Sequence, residues 1–132
     1  MKRILTTLVF TFILLAAVGH AQTLTLPSAS SNAVVLTWTA STSCTTTTPC
    51  TYIPYRIAGT CPATLAGTTG WTALPATASQ VLTATDASVT AGATYSFVVE
   101  AVQAGQNSGP SNCITLTIPN VLAPPAALSG TP

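Results

Sequence analysis

The sequence predicts an all-β antiparallel sandwich of about seven short strands, and three observations carry that prediction. Apolar and polar residues alternate in several short runs, most plainly in TYSFVVEAV at 94–102. β-Branched Thr and Val are abundant, and Gly, Pro and Ser clusters interrupt the runs at regular intervals. Past the first twenty or so residues, no long stretch repeats apolar residues at the helical period, and no Glu/Lys pairs stand four apart.

The 132 residues fit one domain behind a leader. Lys2 and Arg3 make a basic start, and Ile4 to Val18 is apolar apart from Thr. Gly19 and Ala21 place small residues where a signal peptidase reads. Residues 1–21 therefore read as a secretory signal peptide cleaved after Ala21. An uncleaved membrane anchor is the rival reading, but the apolar run is short for a full span. Residues 22–119 form the domain. Residues 120–132, Pro- and Ala-rich without alternation, form a linker or tail.

The strands follow in order. Thr23 to Leu26 adds a short first one. Ala33 to Trp38 puts Val34, Leu36 and Trp38 on one face and Thr37 and Thr39 on the other. STSCTTTTPC at 41–50 is too polar for a core strand and reads as a loop. Tyr52 to Ile57 is the next strand. Pro54 sits inside it, so the strand either bulges there or has no neighbour to receive that donor. Residues 61–70 form a loop, Trp71 to Leu74 a short strand ended by Pro75, and Gln80 to Thr85 another strand. Thr90 to Ala93 turns the chain. Tyr95, Phe97, Val99 and Ala101 then alternate inward, leaving Ser96, Val98, Glu100 and Val102 on the solvent side. GQNSGPSN at 105–112 is a turn-rich loop, and Ile114, Leu116 and Ile118 give one face of the last strand.

Removal of the leader leaves Arg56, Asp86 and Glu100 as the only charged side chains, and takes the only His, His20. A formal charge of about −1 provides no basic patch, so nucleic acid and anionic lipid are excluded as partners, and no membrane contact remains after cleavage. Cys44, Cys50, Cys61 and Cys113 make an even set in a small secreted domain, which implies two disulfides. Cys44–Cys50 closes the small loop CTTTTPC. That leaves Cys61–Cys113, which must bring two distant strand ends together. Pairing of Cys113 with Cys44 or Cys50 stays open. The spacing suits no metal site.

At these residues the chain resembles a fibronectin type III domain of the bacterial secreted type, over Ser28 to Pro119. The matching pieces are VVLTWTAS, YIPYR, ATDASVTAGATYSFVVEAV and GPSN. The resemblance implies an immunoglobulin-like antiparallel sandwich with Leu36, Trp38, Tyr95 and Phe97 in the core. It makes Trp38 the anchor of the second strand. It also implies a tyrosine corner at Val89 and Tyr95, in which the hydroxyl bonds back to backbone. Pro54 departs from the family's third strand, and the first strand is brief. GQNSGPSN lacks Arg-Gly-Asp, so integrin binding does not carry over. PPAAL in the tail resembles the start of a further such domain, or a strand lent to a neighbour.

No catalytic residues are expected. A Ser or Cys nucleophile needs a base, and the mature chain has neither His nor Lys. Asp86 precedes the turn and Glu100 lies well along the next strand, too far apart for a catalytic pair. Asp86 reads as a local acceptor at a strand end. Arg56 and Glu100 read as a cross-strand ion pair on the outer face. No cofactor motif appears. The Thr run at 45–48 is either an O-glycosylation target or a plain solvated loop. Tyr55 and Trp71 are the candidate ligand contacts, since exposed aromatics stack on sugar rings; the bland alternative is that Trp71 covers the sheet edge. The loops CTTTTPC and GQNSGPSN offer hydrogen bonds without charge. The expected role is therefore non-catalytic binding, adhesion or spacing, secreted or periplasmic at a cell surface, with a protein or glycan ligand. The alternatives are a carbohydrate-binding accessory protein and a subunit that assembles through its tail.

Overall fold

A computed structural model describes residues 22–25 and 27–121. The leader, and the tail from residue 122, lie outside the described residues. Eight strands are present there: β1 (Ser28–Ser30), β2 (Ala33–Thr37), β3 (Thr51–Ala58), β4 (Thr72–Ala73), β5 (Thr83–Asp86), β6 (Thr94–Gln103), β7 (Gln106–Asn107) and β8 (Ile114–Thr117). They form two antiparallel sheets, β1-β2-β5 and β4-β3-β6 with both β7 and β8 on the far side of β6.

The strand expected from Thr23 is reduced to a single bridge, Leu24↔Trp38, and the first strand is Ser28–Ser30 instead. A further strand, β7, also departs from the expectation. Ala104 and Gly105 both adopt positive φ, the geometry of a two-residue hairpin turn, so the chain folds back at once and starts β7 within the segment read as a loop. Between β7 and β8 the ladder continues through serines. The Ser108 and Ser111 backbone N–H groups donate to the Ala101 and Val99 carbonyls at 2.7 and 2.9 Å. The Ser108 and Ser111 hydroxyls accept from the Ala101 and Val99 N–H groups at 2.9 and 3.0 Å. Gln22 plugs the same gap, its amide donating to the Val99 carbonyl at 2.8 Å.

Inward residues of both sheets meet in one core: Leu24, Val34, Leu36, Trp38, Tyr52, Phe97, Val99 and Ile118 are all buried. Trp38 and Tyr52 pack with ring centroids 5.7 Å apart, bridging the sheets. Tyr95 is half-buried at the sandwich end, and its hydroxyl accepts from the Thr90 N–H at 3.3 Å. Val89 beside it is buried. Pro54 causes no bulge, because β3 and β6 stay in register from Thr51↔Val102 to Ala58↔Tyr95. Its carbonyl accepts from Leu74, so its missing donor faces the β4 edge, where the chain leaves at Pro75.

The disulfides are Cys44–Cys50 and Cys61–Cys113, with Cα separations of 5.4 and 6.0 Å. The distance objection to the second vanishes because the chain after β3 swings across to β8, where the Cys61 N–H donates to the Thr115 hydroxyl at 2.9 Å.

Candidate functional site

Two corrections define the site. The first concerns Glu100. Alternation places it on the outer face of β6, and so it is, but that face is not open to water. Ser96 and Val98 are fully buried and Glu100 is 5% exposed. The cover is the segment between β3 and β4. The Gly59 carbonyl accepts from the Ser96 hydroxyl, Cys61 is bridged to Cys113 beside β8, and the chain returns over β6, where the Thr68 hydroxyl donates to Glu100 Oε1 at 3.1 Å. Period-two patterning reports which face a residue occupies, and a long connection can cover either face.

The second concerns Arg56. It stands opposite Phe97, on the inner face, and does not meet Glu100. Its Nη1 lies 2.7 Å from Asp86 Oδ2 on β5 of the other sheet and donates to the Ser88 hydroxyl at 2.7 Å. The guanidinium also sits 5.0 Å from the centroid of the Tyr95 ring. Asp86 Oδ1 accepts from the Ser88 N–H and hydroxyl at 2.9 and 2.6 Å, acting as a local acceptor after its strand. The pair is thus an inter-sheet clamp at one end of the sandwich. The two carboxylates lie on opposite sides of the larger sheet and do not converge.

The outer face of that sheet gathers the aromatic candidates. Register places Tyr55 opposite Ala73 and Val98, which carries Trp71 round to the neighbourhood of Ile57 on the same face. Tyr55 and Trp71 are each partly exposed. The Tyr55 phenol lies beside a polar group made by Glu100, Thr68 and Asn107. Burial, and then the negative charge of Glu100, push its pKa above 10.0. Asn107 Nδ2 completes the group by donating to Glu100 Oε2 at 3.0 Å. Glu100 is thus a buried carboxylate held by neutral donors beside the Tyr55 ring. Thr68 and Asn107 carry no sequence signal for this role; only the return of the loop brings them to Glu100.

The two loops offer less than their composition suggests. In CTTTTPC the Thr45 hydroxyl is bonded to those of Thr47 and Thr48, and Gln103 donates to the Ser43 and Thr48 carbonyls. In GQNSGPSN, Asn107 serves Glu100, Asn112 bonds both backbone groups of Leu24, and the serines complete the sheet. Among the described residues no cluster of His, Cys, Asp and Glu could hold a metal.

No family model matches this chain, and no curated protein sequence matches it significantly. Solved structures do. The FN1–FN3 domains of chicken CNTN1 superpose with a TM-score of 0.61 at 14% identity, covering 77% of this chain and 33% of that one. The chain therefore spans about a third of that multidomain fragment. A fibronectin type III domain of human fibronectin type III domain containing protein 3 gives 0.59 at 19% identity, covering 85% and 92%. The twitchin kinase region of C. elegans gives 0.58 at 17% identity, covering 76% and 17%. The fold is that of a fibronectin type III domain, an immunoglobulin-like β-sandwich.

Proposed function

We propose that the mature chain is a secreted, non-catalytic binding module at a cell surface or envelope, and that it takes a neutral glycan at the β3–β4 edge of the larger sheet's outer face, where the covering connection leaves Tyr55 and Trp71 partly exposed. The observation that carries this reading is the grouping of Tyr55 and Trp71 on one face, beside a carboxylate–amide–hydroxyl cluster of Glu100, Asn107 and Thr68. Partly exposed rings supply stacking faces, and fixed polar groups beside them orient sugar hydroxyls. The placement of Asp86 and Glu100 on opposite sides of a sheet supports a binding role without hydrolysis. The two disulfides suit an oxidising compartment.

The test is retention of the mature protein on immobilised soluble and insoluble glycans, compared with Trp71→Ala and Tyr55→Ala. Loss of one stacking ring should weaken binding by about tenfold or more, equivalent to about 1.4 kcal/mol, with an unchanged circular dichroism spectrum. Absence of retention on every glycan, or retention indifferent to both substitutions, refutes the reading.

A further inference from the structure

The outer face of the smaller sheet carries a regular array that the binding reading does not use. Leu24 pairs with Trp38, and backbone bonds from Thr25 to Thr37 and from Thr39 to Thr23 set Thr23 beside Thr39 and Thr25 beside Thr37. Thr37 and Val35 stand opposite Thr83 and Thr85, and Ser28 stands opposite Val35. The Trp38 N–H donates to the Leu82 carbonyl, which extends the pairing and brings Val81 beside Thr39. The result is three rows of three: Thr23, Thr39 and Val81; Thr25, Thr37 and Thr83; Ser28, Val35 and Thr85. All nine are exposed, and none is charged or aromatic. Val35 and Val81, at 39% and 38% exposure, are two of the three large apolar residues exposed among the described residues, and both fall on this grid.

The array is held still. The Thr25 hydroxyl donates to the Thr37 carbonyl at 2.8 Å and bonds the Thr37 hydroxyl at 2.6 Å. The Thr83 hydroxyl donates to the Leu36 carbonyl at 3.0 Å, and the Thr39 hydroxyl accepts from the Thr23 N–H at 2.9 Å. β-Branched side chains restricted at χ1 and pinned this way hold their methyls and remaining hydroxyl valences in fixed ranks. Strand geometry spaces the ranks about 4.8 Å apart across the sheet and about 6.8 Å apart along β2 and β5; the step from Thr25 to Ser28 is one residue longer, so the third column keeps this repeat only from Thr23 to Thr25.

We propose that this face binds ice. The spacings across and along the strands are close to repeats of the hexagonal ice lattice. Methyl groups order the water around them, and hydroxyls hydrogen-bond it in place. Three features set other partners aside. The face is uncharged, so neither nucleic acid nor a charged protein patch is its complement. It has no ring to stack on a sugar. Between outermost Cα positions it measures about 10 by 14 Å, far short of the roughly 800 Å2 a stable protein partner covers. Strand twist of about 20–25° between neighbours confines the match to adjoining columns, so the expected activity is adsorption and recrystallisation inhibition rather than strong freezing-point depression.

The experiment freezes the mature protein slowly onto a cold finger and measures the fraction carried into the ice, together with recrystallisation in quenched films. Thr37→Lys puts a charge at the centre of the grid. Thr85→Lys, where no hydroxyl bond is made, is the second variant, and Thr60→Lys, in the connection after β3, is the control. Wild type and Thr60→Lys should enter ice at least about tenfold more than either grid variant, while all four melt alike. Exclusion of wild type from ice overturns the proposal, as does incorporation unaffected by Thr85→Lys. Retention on crystalline polysaccharide that is lost in Thr37→Lys, without entry into ice, overturns it in favour of a sugar lattice. None of these readouts depends on Tyr55 or Trp71, so this proposal and the glycan reading fail separately.

Discussion

The clamp between Arg56 and Asp86 is the feature of this sandwich whose energetic worth can be worked most directly. In Asp86→Ala the partner carboxylate, 1% exposed, is removed along with its bonds to Ser88. Breaking a buried ion pair by deleting one member costs about 3–5 kcal/mol, because the other charge is stranded. The Arg56 side chain keeps 16% of its surface in water and rests on Tyr95, so the low end applies, about 3 kcal/mol. For a domain near a hundred residues each kcal/mol moves Tm by roughly 4–8 °C, so the melt should fall by about 12–24 °C. Urea denaturation of Asp86→Ala, Arg56→Met and the double variant completes a cycle. The double variant should cost clearly less than the sum, with a coupling energy of about 2 kcal/mol, since charged hydrogen bonds contribute at that level. A coupling within about 0.5 kcal/mol of zero, or a loss below about 1 kcal/mol in Asp86→Ala, would show that the pair does not join the sheets energetically.

Two further outcomes follow from the same structure. Loop-closure entropy assigns about 4 kcal/mol to Cys61–Cys113, 52 residues apart, and about 2 kcal/mol to Cys44–Cys50, six apart. Paired Cys→Ser variants should therefore differ in urea midpoint, with the longer loop the costlier loss, and equal midpoints would contradict the assignment. For Tyr55 the raised pKa means the folded state favours the neutral phenol, so the unfolded chain ionises first and stability falls as pH climbs past 10.0. Tyr55→Phe should soften that alkaline decline in urea melts, and no softening would remove Tyr55 as its source; Glu100→Gln should shift the Tyr55 phenolate absorbance change to lower pH, and no shift would remove Glu100 from the cause.

By itself the sequence determined the class, most of the strands and the inward set. Alternation is a local property with period two, and Val34, Leu36, Trp38, Phe97 and Val99 declare a face without reference to anything distant. The absence of His and Lys beyond residue 20 likewise bounds the chemistry before any fold is known. Tertiary structure alone decided what lies against each face. Arg56 points inward because its parity is that of Phe97, and only the stacking of β5 over β3 brings it to Asp86. Glu100 is outward and yet buried because the connection from Gly59 to Gly70 crosses the sheet and is held at Cys113. The threonine grid exists because the segment before β2 folds back along one side of it while β5, distant in the chain, comes into register on the other. The physical reason is that side-chain direction is set within a few residues, whereas coverage, partner and register depend on where long connections close, and their closure entropy grows too slowly with length to mark a path in the sequence.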